Sequence, residues 1–89
     1  MSRVVTRNPQ VVYRELAGEG GGLLLHLDSG EYHGLNEVGA LIWSLIDGER
    51  TVDVLVDDLR AELQDPPDDL TGETERFLAD LLQRDLIAG

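Results

Sequence analysis

The sequence predicts an α+β fold in which three short antiparallel strands are followed by three helices. Valine-, leucine- and tyrosine-rich runs in the first 35 residues are separated by Gly18-Glu19-Gly20-Gly21-Gly22 and by Asp28-Ser29-Gly30. After Asn36 the apolar residues recur every three or four positions, and Pro66-Pro67 breaks that pattern once more. Strands that precede helices in one short chain call for a sheet laid against a helical layer, with one core between them.

Residues 1–9 are polar, and Asn8-Pro9 marks a turn, so a loose or edge-lying tail is expected there. Within Val11 to Leu16, Val12, Arg14 and Leu16 alternate with Val11, Tyr13 and Glu15, which suits a strand. The glycine run is a hairpin connection, Leu23 to Leu27 a second strand, and Asp28-Ser29-Gly30 a reversal into a third strand over Glu31 to Leu35. Residues 10–35 therefore form a meander, which leaves an unpaired edge at its first strand, its third or both.

Asn36 is a favoured helix N-cap, and Glu37 sits at the positive end of the helix dipole. Val38, Leu41, Ile42, Leu45 and Ile46 share one face with Trp43 at its margin, and Asp47-Gly48 closes the helix. Thr51 caps a second helix that turns Val52, Leu55, Val56, Leu59 and Leu63 to the core. Asp57, Asp58, Arg60 and Glu62 take its solvated side. A third helix is expected from near Pro67, with Leu70, Phe77, Leu78 and Leu81 as its stripe and Thr74 within it. Gly72 weakens its first turns by roughly 1 kcal/mol relative to alanine. Leu86-Ile87 is an apolar tail able to fold back, so that residues 36–87 hold three helices and residues 1–89 a single domain.

Composition narrows the function. A formal net charge of -11 opposes any nucleic-acid partner, whose binding relies on lysine and arginine, and favours a basic or neutral peptide. With no cysteine and no run of about 18 apolar residues, neither a disulfide framework nor a membrane span is expected, and the cytoplasm is the default compartment.

Nothing in the sequence points to catalysis, a metal or a cofactor. His26 and His33 fall on neighbouring strands, but zinc wants three or four ligands. Asp57-Asp58 and Asp68-Asp69 are adjacent in sequence and point apart on a helix. Ser29 and Ser44 lack a glycine-framed elbow, and the glycine run lacks the phosphate-cradling pattern.

Tyr32, Gly34, Leu35, Asn36 and Glu37, followed by Ile42 and Trp43, resemble the signature of the PqqD-like proteins, the recognition elements that bind leader peptides of ribosomally made, modified peptides. The likeness extends upstream through PQVVYREL and downstream through both later helices. It implies a winged-helix-like arrangement and a leader peptide lying between the third strand and the third helix. Carried over by position, Glu31, Tyr32, His33, Gly34 and Leu35 would supply a backbone ladder. Glu73, Arg76, Phe77 and Asp80 would wall the groove, with Phe77 as an apolar floor. The wording YHGLNEVGALIW is most similar to stand-alone elements of lasso peptide pathways, whose partners would be a leader peptidase and a macrolactam synthetase. Two other readings share the layout: a scaffold subunit that binds an enzyme and no peptide, and a winged-helix DNA-binding regulator. The second conflicts with the excess of acid over Arg76 and Arg84 on the third helix.

Overall fold

The computed structural model describes residues 3–16, 18 and 20–89. Its strands are β1 (Thr6–Arg7), β2 (Val11–Glu15), β3 (Gly22–His26), β4 (Tyr32–Leu35) and β5 (Ile87–Ala88). Between β4 and β5 lie the helices α1 (Glu37–Leu45), α2 (Val52–Glu62) and α3 (Leu70–Gln83). The predicted meander is the antiparallel sheet β2-β3-β4, so the α+β class and the order of three strands then three helices are as expected. Part of the expected glycine-run hairpin, Ala17 and Glu19, lies outside the described residues.

The ladder alternates along β3. Leu27 and Leu16 donate their amides to the carbonyls of Gln10 (2.8 Å) and Gly21 (3.0 Å), while the His26 amide turns the other way to Glu31 (3.0 Å). Gly22, Leu24 and His26 are buried toward the helices, together with the partly buried Val11 and Tyr13 of β2. The opposite face, with Val12, Leu25 and Tyr32 side by side across the three strands, has no helix over it.

The start of the chain departs from the sequence expectation of a loose or edge-lying tail over residues 1–9. Thr6 and Arg7 pair with Ala88 and Ile87 in a second, two-stranded sheet, and Val5 is 3% exposed. Leu86 and Ile87 are buried, which is the folding back anticipated for them. Strands of two residues are too short to carry a hydrophobic period, so nothing local stands against the turn chemistry of Asn8-Pro9.

Arg7 locks this ribbon to α1. Its guanidinium lies 5.1 Å above the Trp43 ring and its Nη2 donates to the Trp43 carbonyl at 2.7 Å, just where α1 ends. Arg7→Ala should cost about 1–2 kcal/mol, read as a lower urea midpoint at unchanged slope.

Asn36 caps α1 by accepting the Gly39 amide at 2.7 Å, and Thr51 caps α2 by accepting that of Val54 at 3.3 Å. Between these helices the Asp47 carboxylate accepts the Arg50 and Glu49 amides, which hold its pKa below the ordinary carboxylate value. The turn it closes is therefore favoured at neutral pH and loses that support as the pH falls through the lowered value.

The third helix starts at Leu70, three residues beyond Pro67, because Asp69 rather than a proline caps it. Asp69 Oδ1 accepts the Gly72 amide at 3.2 Å, and a Cβ on Gly72 would collide with that carboxylate. The glycine that weakens the helix in isolation thus makes room for its cap.

Trp43, Ile42 and Ile46 are buried, but Val38 remains 39% exposed and Leu41 and Leu45 are half-buried, so the apolar stripe of α1 is wider than the core beneath it. His26 is buried too, with its Nε2 3.1 Å from Asp85 Oδ2 and its Nδ1 accepting the Asp28 and Ser29 amides. Those two amides fix the ring tautomer, so that Nε2 is the donor to Asp85.

Candidate functional site

The larger sheet has two outer strands, β2 and β4, and β4 is the one with a groove between it and α3. Hydrogen-bonded pairs alternate with non-bonded ones in an antiparallel ladder. Since His26 and Glu31 form a bonded pair, Leu24 with His33 and Gly22 with Leu35 are the next two. The amides and carbonyls of Tyr32 and Gly34 therefore point away from β3, and no described residue pairs with them. Of the five residues expected to form an outward ladder, Glu31, His33 and Leu35 turn their backbone inward.

Side chains follow the opposite alternation. Leu35 is buried against the helices, and His33 on the same face lies with its Nδ1 3.5 Å from Arg84 Nη1 on α3. Tyr32 is 65% exposed and is no core aromatic. Gly34 would carry a Cβ with nothing within 4 Å, so no neighbour in the fold demands a glycine there.

Two cavities run beside this edge. One, about 370 Å³, is lined by Gly34, Leu35 and Asn36, by Val38, Gly39 and Ile42 of α1, by Leu63 and Pro67, and by Leu70, Glu73, Thr74 and Phe77. The other, about 290 Å³, lies between Tyr32, His33, Gly34 and Leu35 and the later turns of α3 at Phe77, Asp80, Leu81 and Arg84, with Leu86 beyond. Gly34, Leu35 and Phe77 line both, so the two form one groove along β4 with Phe77 at its middle. The Phe77 ring lies over Gly39, where a Cβ would approach it at 3.3 Å.

The groove is apolar at the α1 end and charged at the Arg84 end, where Arg84 Nε donates to Asp80 Oδ2 at 3.0 Å. Of the residues named for the wall, Glu73, Phe77 and Asp80 line this groove, whereas Arg76 lines neither cavity and reaches Asp69 at 3.6 Å on the exposed side of α3. Sequence reasoning passed over Arg84, although it lies four residues after Asp80 and seven after Phe77 and so shares their helix face. It also missed Leu63 and Pro67, which reach the groove only through the connection between α2 and α3.

Thr74 closes the apolar end. Its Oγ1 is buried without a hydrogen-bond partner among the described residues. Thr74→Val keeps the shape and removes an unsatisfied hydroxyl, so the free protein should gain about 1 kcal/mol, seen as a thermal midpoint raised by roughly 4–8 °C.

The same fold recurs in known proteins. The family model described as coenzyme PQQ synthesis protein D (PqqD) matches residues 21–87. The chain belongs to the PqqD family. Among solved structures, TbiB1 in complex with the TbiA(beta) leader peptide is 30% identical, with 94% of this chain and 95% of that one covered at a TM-score of 0.81. A lasso peptide synthetase B1 complexed with the leader peptide shares the fold at 20% identity and a TM-score of 0.80, covering 98% of this chain and 100% of that one. No curated protein matches the chain. The resemblance of residues 32–43 to the PqqD-like recognition elements is therefore family membership, carried by a meander and three helices in the family order.

No helix among the described residues is long and apolar enough to cross a membrane.

Proposed function

We propose that this PqqD-family chain is a non-catalytic, cofactor-free, cytoplasmic single-domain recognition element that captures the leader segment of a ribosomally made precursor by strand addition to β4. The observation that carries this reading is the pair of unpartnered backbone groups at Tyr32 and Gly34, facing out beside the Phe77 groove. An extended peptide laid along that edge would bond to both residues, which are spaced by about 6.6–6.8 Å as alternate positions of a strand. Its side chains would then alternate between the groove and the open sheet face. The apolar cavity at Leu35, Ile42, Leu70 and Phe77 would seat an apolar leader residue, while Asp80 and Glu73 would meet donors or basic groups.

The captured precursor would be handed to modifying enzymes, a leader peptidase and a macrolactam synthetase of a lasso peptide pathway. TbiB1, a 30% identical relative solved with a leader peptide, supports the leader-binding part of this reading, and the pathway itself is proposed from the likeness of residues 32–43. The test uses synthetic peptides copying the short open reading frames beside the gene, titrated by fluorescence anisotropy. One of them should bind saturably at a one-to-one ratio. If none binds while a neighbouring protease or ligase does, the chain is a scaffold and strand capture is wrong.

A further inference from the structure

The groove beside β4 does not stop at α1. Val38 and Leu63, which line its apolar end, also line a larger cavity of about 850 Å³ between α1, the end of α2 and the β2–β3 hairpin. Tyr13, Ala40, Leu41 and Val38 give this second cavity an apolar part, to which Val38 and Leu41 bring the side of the α1 stripe that the core leaves uncovered, while Ser44 and Gln64 add polar groups. Its rim is acidic, with Glu15 from β2, Glu37 from the first turn of α1 and Glu62 from the end of α2, and none of the three has a described cationic partner. The arginines are committed elsewhere, Arg3 to Glu75, Arg50 to Asp47 and Asp58, Arg84 to Asp80, while Arg14 alternates to the other face of β2 from Glu15.

We infer that this second cavity receives a basic and apolar segment of the same precursor, the flank of the stretch that pairs with β4. The inference rests on the leader reading above and extends it. A peptide leaving the Leu35 end of β4 meets the shared Val38–Leu63 wall first, and beyond it lies the acid-rimmed cavity. Three exposed carboxylates beside that apolar part match alternating basic and apolar side chains. A second copy of this chain, at a net charge of -11, would be repelled from the same rim.

The test compares Glu15→Gln/Glu37→Gln/Glu62→Gln with an equal-charge control, Asp28→Asn/Asp65→Asn/Asp68→Asn, against the best-binding synthetic precursor peptide and versions of it shortened from each end. Full-length peptide should bind the glutamine variant about threefold to tenfold more weakly at low salt, with the gap closing as salt rises, and the control variant as tightly as the wild type. One shortened peptide should bind the wild type as weakly and ignore the glutamine substitutions. Glu62→Lys, a single change at an exposed helix end, should reproduce the loss if the triple variant folds poorly. Unchanged full-length affinity in both variants would overturn the inference, as would a loss confined to enzyme docking. If Gly34→Pro removes binding while the glutamine variant does not, only the second cavity is wrong. The reverse pattern would overturn strand addition itself.

Discussion

Proline at Gly34 is expected to weaken leader binding by about 5- to 150-fold while the protein stays folded, because a buried ladder donor lost to a partner costs about 1–3 kcal/mol. The amide that proline removes points away from β3, and proline is tolerated on an edge strand when its missing donor faces solvent. A Cβ at this position meets nothing within 4 Å, so the ring has room in the free protein. Proline at His33 should behave differently. That amide belongs to the bonded pair with Leu24, so its loss breaks the β3–β4 ladder and should lower the thermal midpoint as well as affinity. Circular dichroism melts beside anisotropy titrations separate the two variants. Equal effects on folding would mean that the alternation along β4 is misassigned.

Phe77→Ala is the second large effect, an expected loss of about 30-fold or more in leader affinity, in the range of an aromatic anchor truncated at the centre of an interface. Phe77 alone on α3 lines both cavities of the groove, and its removal joins them into one wider trough without a floor. Its ring is only half-buried, so the cost to folding should be about 1–2 kcal/mol, below that of a full core phenylalanine. Leu82→Ala is the control: the side chain is 46% exposed on the same helix and outside the groove, and its loss should change affinity less than about twofold. Equal losses in the two variants would indicate general weakening of α3 rather than a peptide contact.

Much of this architecture is legible in the residues because local rules and tertiary packing agree. Asn36 and Thr51 cap the helices they announce, the meander turns fall at the glycine and Asp28-Ser29-Gly30 runs, and the stripe of α2 is the buried one. The reading fails where a tertiary contact overrides a local signal. The β1–β5 ribbon depends on strands at opposite ends of the chain, too short to show a period. Val38 and Leu41 match a core pattern but sit at the margin of a small sheet that cannot cover them. The groove was readable as two elements, an edge strand and a helix face. Which amides look outward was not, since that parity is set by the pairing of β3 with β4 and a shift of one residue would reverse it. Arg76 illustrates the same limit, because its exposed partner Asp69 belongs to a cap and not to the helix pattern.

The most direct test is amide hydrogen exchange at β4, followed by two-dimensional NMR with and without the bound precursor peptide. In the free protein the His33 amide should be protected by its bond within the sheet, while those of Tyr32 and Gly34 exchange freely. On peptide binding Tyr32 and Gly34 should become protected, with His33 little changed. Saturable binding that leaves both amides exchanging at their free rates would contradict capture of the leader as an added strand.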